Sequence, residues 1–142
     1  MTKTTRRSAA LVLALALVLS LTACGTQSSG GIWDSAVYTE DTALGEGAKT
    51  IAVEVTAEDK TVTLTVSTDA ETLRAALEEN GLIAGDESEY GLYVKTVNGM
   101  TADYDTDGLY WAFYKSGEYL MTGVDTTEIS DGEHYELVCT EG

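Results

Sequence analysis

The sharpest chemical signal in this 142-residue chain is the run Asp103-Tyr104-Asp105-Thr106-Asp107-Gly108. Oxygens at positions 1, 3 and 5 followed by a turning glycine open the calcium loop of an EF-hand. The bidentate glutamate that should close the loop at position 12 is missing, because Tyr114 stands there, and the flanks have strand character. An EF-hand is therefore excluded. The preferred reading is an acidic turn between strands. The alternative is a weaker calcium site at Asp103, Asp105 and Asp107, closed by a carboxylate of another loop such as Asp125.

Aromatic residues form the second cluster. Tyr110, Trp111, Phe113, Tyr114 and Tyr119 fall within ten residues, with Tyr90, Tyr93, Tyr104 and Tyr135 beyond them. Strand alternation puts Trp111 and Phe113 on one face and Tyr110, Ala112 and Tyr114 on the other. Trp111 and Phe113 suit the core beneath a helix. The tyrosine face has no second helix to cover it, so it reads either as ordinary strand surface or as a flat platform for a ligand or sugar.

Catalysis finds little support. His134 is the sole histidine, and Cys139 lies five residues further along the same predicted strand, hence on the opposite face. A Cys–His dyad is not expected, and transition-metal binding lacks ligands. Carboxylates are so numerous that no pair stands out as an acid and a base. A binding protein rather than an enzyme is expected.

These residues sit on elements that patterning makes visible. Residues 32–49 are acidic and irregular, a lead-in with Trp33, Val37 and Tyr38 as docking points and room for one short strand. From Thr50, Ile51, Val53 and Val55, then Val62, Leu64 and Val66, alternate with polar residues across Ala57-Glu58-Asp59-Lys60, which predicts a β-hairpin with one buried face. Thr68-Asp69-Ala70-Glu71 has the form of a capping box. Leu73, Ala76 and Leu77 then share a helical face, Arg74 and Glu78 can pair one turn apart, and Asn80-Gly81 supplies a stop. The spacing predicts one helix of about three turns. After an acidic loop at 85–89, Gly91 to Val97 reads as a strand ending at the tight-turn pair Asn98-Gly99. Leu109 to Tyr114, Tyr119 to Met121 and His134 to Thr140 complete the strands. The expected class is α+β, a β-grasp-like mixed sheet packed against a single helix.

The first 23 residues differ from the rest. A basic head (Lys3, Arg6, Arg7), the apolar run Ala9 to Leu19 and the small residues before Cys24 describe a secretory signal too short to span a bilayer. Leu21-Thr22-Ala23-Cys24 resembles the bacterial lipobox, which implies acylation of Cys24 and stable anchoring at the outer face of the cell membrane of a Gram-positive bacterium. Residues 25–31 form a flexible tether. The expected organisation is a signal at 1–23, a lipidated cysteine with tether and lead-in at 24–49, and one domain at 50–142.

Charge narrows the partners. The chain carries 8 basic and 24 acidic residues, a formal net charge of −16. Loss of the signal leaves 5 against 24, or −19. Nucleic acid is excluded as a partner for want of clustered lysine and arginine, and anionic headgroups repel the domain, so membrane contact is expected through the anchor alone. With Cys24 acylated, Cys139 has no disulfide partner, and the core must hold by burial.

One resemblance draws these threads together. Gly91 to Gly99, Tyr110-Trp111-Ala112-Phe113-Tyr114, Gly117-Glu118-Tyr119, Thr122-Gly123-Val124-Asp125 and Asp131-Gly132-Glu133-His134-Tyr135-Glu136-Leu137 stand in the order and spacing of a known pattern. Together they resemble the small C-terminal β-domain of transcobalamin and intrinsic factor and the bacterial family named after it, and the likeness extends over about residues 50–141. In those carriers the domain closes one side of cobalamin and a helical domain closes the other. The resemblance implies corrin contact at the Tyr110-Trp111 strand and the Gly117 to Gly123 hairpin, with Tyr110, Trp111, Tyr114 and Tyr119 as ligand-binding residues. It also implies that the other half of the site is either missing or supplied by a partner, and the anchor is expected to keep the module near a membrane uptake system. The competing expectation is a cell-surface adhesion domain for a protein or glycan.

Overall fold

The computed structural model describes residues 31–142. The signal at 1–23 and Cys24, expected to be acylated, lie outside the described residues. In chain order a short 3-10 turn (Ile32–Ser35) precedes β1 (Thr42–Gly45), β2 (Lys49–Ala57), β3 (Lys60–Thr68) and α1 (Leu73–Glu79). Then come β4 (Ile83–Ser88), β5 (Gly91–Val97), β6 (Met100–Thr101), α2 (Tyr104–Asp107), β7 (Leu109–Lys115), β8 (Glu118–Tyr119) and β9 (His134–Glu141). Strands dominate and helix is scarce, so the class is α+β or mainly β.

The larger sheet runs β1-β3-β2-β9-β7-β8 and the smaller β4-β5-β6. Its hairpin β2–β3 is antiparallel, joined by Glu58 and Asp59 with φ of 49° and 65°, while Ala57 and Lys60 pair as strand ends. The pairs β1–β3 and β2–β9 are parallel, which makes the larger sheet mixed. Alternation along β2 and β3 buries Ile51, Val53, Val55, Val62, Leu64 and Val66 on one face, and β9 adds Tyr135 and Leu137. On the core side of that face lie Leu73, Ala76 and Leu77 of α1, with Leu82, Ile83, Val97 and Met100. Seven residues are too few for a helix stable alone, so burial of that stripe and the caps must hold α1.

Several expectations need correction. The helix has about two turns, not three. Its cap is Thr72, whose hydroxyl accepts from Ala75 N at 3.2 Å, while Thr68 ends β3 and bonds to Glu79 and to Ala70 N. The stop at Asn80-Gly81 holds, with Gly81 at φ 67° and Leu82 N donating to Leu77 O. The acidic segment expected as a loop is β4, paired in antiparallel register with β5. There is a second helical turn, α2, so the helix is not single.

The lead-in docks through the residues named for it, with one exception. Trp33 Nε1 donates to Ala57 O at 2.7 Å, and Lys60 sits over its ring. Tyr38 is held through its backbone by the side chain of Asn98. The Val37 side chain is exposed, although its N–H donates to Asn98 O. Among the described residues no helix is long and apolar enough to cross a membrane.

Candidate functional site

The 103–108 run forms its own structure rather than a cation loop. Asp103 caps α2, its Oδ1 accepting from Asp105 N at 2.9 Å, and Gly108 closes the turn at φ 67°. Asp103 also lies 3.8 Å from Lys95 Nζ, whereas Asp105 and Asp107 are exposed. Asp125 is engaged elsewhere, with Arg74 and with Leu92 N. The structure does not bring Asp103, Asp105 and Asp107 together as ligands, because helical winding spreads side chains that an extended loop would converge.

Alternation likewise divides the four aromatic candidates. On β7, Trp111 faces the core side with Phe113, and Tyr110 and Tyr114 take the opposite face. The Tyr114 and Tyr119 rings pack in a T-shaped pair, with centroids 5.5 Å apart. Trp111 and Tyr119 line a cleft between β7 and the smaller sheet; Tyr110 and Tyr114 do not.

That cleft has a volume of about 160 Å³. Leu92 and Val94 of β5 form one wall, Trp111 and Phe113 the other, and Leu120, Thr122, Gly123 and Val124 the rim. Trp111 is buried, yet its indole Nε1–H has no hydrogen-bond partner among the described residues. A buried donor without an acceptor costs about 1–3 kcal/mol. Leu92, Val94 and Phe113 were read from sequence as strand or core residues. Only the packing of the smaller sheet against β7 makes them walls.

The rim is fixed from behind. The free N–H groups at the start of α1 bond to it, Leu73 N to Thr127 O at 2.8 Å and Arg74 N to Val124 O at 3.0 Å. The Arg74 guanidinium pairs with Glu78, Glu87 and Asp125, so the pairing with Glu78 expected from sequence is one part of a larger cluster. The Arg74 guanidinium and the Leu92 N–H hold the Asp125 carboxyl below its ordinary value of 3.8. One carboxylate thus joins helix, rim and wall. Among the lining residues, Tyr93 and Tyr119 are exposed.

His134 and Cys139 lie on opposite faces of β9. Cys139 packs against the core, and its thiol is pushed up by burial, then by Glu58 and Asp107. His134 faces outward beside Glu54 and Glu136, Nε2 lying 3.0 Å from Glu54 Oε2 and Nδ1 3.9 Å from Glu136 Oε1. Sequence spacing does not show this group: the parallel register of β2 and β9 brings two glutamates to the one histidine, three side chains that could hold a metal ion.

Comparison with known proteins follows the same geometry. The family model described as Domain of unknown function (DUF4430) matches residues 70–136. No curated protein matches the sequence. Among solved structures, a candidate metal-binding protein from Ruminococcus gnavus ATCC 29149 is 38% identical, with a TM-score of 0.64. That alignment covers 67% of this chain and 99% of the other. Haptocorrin in complex with cobinamide is 18% identical with a TM-score of 0.56, over 69% of this chain and 26% of haptocorrin. This chain therefore spans about a quarter of haptocorrin's length, and at that identity the likeness concerns fold.

Proposed function

Because this chain belongs to the same family as the Ruminococcus gnavus protein, which it covers almost end to end, we propose that its domain is a ligand-binding module of β-grasp type. Its first ligand class is the corrinoids, and the module binds rather than catalyses. The observation that carries this reading is the cleft between β7 and the smaller sheet, walled by Leu92, Val94, Trp111 and Phe113. The sheet order, with β9 parallel to β2 beside the β2–β3 hairpin, supports the β-grasp description. The likeness of fold to haptocorrin supports the corrinoid class.

Size sharpens the proposal. Pockets that enclose a small molecule have about 300–1,000 Å³, and this cleft has about 160 Å³. It can take an edge or side arm of a corrin, with the rest of the ring outside the cleft. The opposite side of the ligand would then be covered by a partner, in keeping with delivery to a membrane uptake system. The same exposed rim favours a second reading, in which a protein or glycan docks there without a small ligand.

Calorimetric titration with cobinamide and cobalamin separates the two. Gly123 lies on the rim, and a Cβ built there meets nothing within 4 Å, so Gly123→Leu adds bulk at the mouth of the cleft without backbone strain. Saturable binding that weakens roughly tenfold or more in Gly123→Leu is the expected result, since losing one side arm's contacts costs at least 1.4 kcal/mol. Absence of heat with either corrinoid would favour the docking reading.

We also propose that the domain is exported and held at the outer face of the membrane through acylated Cys24. In cells expressing Cys24→Ser, the protein is expected in the soluble extracytoplasmic fraction without the mass of acyl chains. Membrane retention of that variant would refute the anchor.

A further inference from the structure

We infer that Glu54, His134 and Glu136 form a binding site for one divalent first-row metal ion, with zinc the best match to its ligands. The site lies on the face of the larger sheet opposite the core and is independent of the cleft. Each side chain offers one ligand atom, and the three atoms lie within 4.8 Å of one another. Such a group can close on a zinc ion, at about 2.0–2.2 Å per nitrogen or oxygen ligand, by small side-chain rotations.

The backbone sets this convergence. Glu54 and Glu136 are directly opposed in the parallel register of β2 and β9, and His134 precedes Glu136 by two residues, hence on the same face. These strands are the two central ones of the larger sheet. Gly117 N donates to Glu136 Oε1 at 2.9 Å and so orients one ligand from the β7–β8 turn. All three side chains are only partly exposed, so the group is neither buried ion pairing nor free surface.

Physical chemistry favours a cation here. Two carboxylates directly opposed on neighbouring strands repel each other. The imidazole ligates metal only when neutral, and then it offsets neither charge. A divalent ion offsets both. Imidazole with two carboxylates suits zinc and its first-row neighbours, whereas calcium demands six to eight oxygens. Three protein ligands leave zinc a fourth position for water or for an outside ligand.

The test is titration of the metal-stripped full chain with zinc chloride, against a chromophoric chelator and by calorimetry. One equivalent should bind at micromolar zinc or below, and calcium at the same concentration should not displace it. Removing an outer-shell contact in a metal site costs about 10–100-fold in affinity, so loss of a ligand itself should cost at least that. His134→Gln should therefore abolish stoichiometric binding, and Glu54→Gln and Glu136→Gln should each weaken it by about tenfold or more. Cys139→Ser should bind as the parent does. Unchanged melting of the metal-free variants would show that folding is not the cause, and if His134→Gln fails to fold, the two glutamine variants decide. No binding at micromolar zinc, or binding that survives His134→Gln or both glutamate substitutions, would overturn the site.

Discussion

Asn98→Ala is expected to destabilise the domain by about 2–4 kcal/mol, through loss of two buried hydrogen bonds and a strained backbone. Asn98 is fully buried at the β5–β6 turn, with φ 52°. Its Oδ1 accepts from Tyr38 N at 2.9 Å, and its Nδ2 donates to Tyr38 O at 2.8 Å. Its backbone N–H donates to Leu82 O, and its carbonyl accepts from Val37 N. One side chain thus mimics a strand partner for the lead-in and pins it to the smaller sheet. Alanine would leave both Tyr38 groups without partners and would carry a Cβ into left-handed backbone, where asparagine is tolerated best after glycine. Asn98→Gly keeps the backbone and loses only the bonds, so the difference between the variants measures the strain. Thermal melting followed by circular dichroism should show Tm falling on the order of 10–20 °C for alanine. A fall of less than about 2 °C would mean that the lead-in does not depend on this contact.

Asp125→Asn is expected to loosen the cleft and to change how the fold responds to acid. Asp125 bonds the Arg74 guanidinium through one oxygen and Leu92 N through the other, at 2.8 Å, so it couples α1, the rim and β5. The amide keeps an acceptor and loses the charge that Arg74 requires. The sign of the pH effect follows from the lowered carboxyl. A carboxylate depressed in the folded state stabilises it above the unfolded value of 3.8, and that stabilisation is lost as pH falls through the lower folded value. The parent should therefore melt several degrees above Asp125→Asn at neutral pH, and the gap should close as pH falls below 3.8. Glu133 adds to the same acid limb. Burial alone would raise its carboxyl, but Lys115, the Tyr135 hydroxyl and Ser130 N–H outweigh burial and lower it. A gap that is constant from neutral to strongly acid pH would show that the Asp125 charge contributes nothing.

The sequence exposes those features whose physics is local. Alternation from Ile51 to Val66 marks the β2–β3 hairpin, and Asn98-Gly99 and Ser116-Gly117 mark turns whose positive φ the structure confirms. β4 escapes notice because every residue after Ile83 is exposed, so its strand leaves no hydrophobic period. The cap is misplaced because Thr68 and Thr72 are chemically equivalent and four apart, and tertiary pairing of β3 with β2 claims the first. In the 103–108 run, the aspartate that would start a calcium loop also caps a helix, and the local sequence does not choose between them. The candidate sites are least legible. Leu92, Val94 and Phe113 become cleft walls through the approach of two sheets, and Glu54 reaches His134 from 80 residues away through strand register.

The most direct test of the account uses Trp111 as its own reporter. The chain has two tryptophans, so Trp33→Phe leaves Trp111 as the single indole emitter. Titrating that variant with cobinamide, corrected for absorbance, should give saturable quenching of Trp111 that Gly123→Leu shifts to roughly tenfold or more higher cobinamide. Emission that ignores cobinamide, or quenching that Gly123→Leu leaves unshifted, would contradict the cleft as the ligand site.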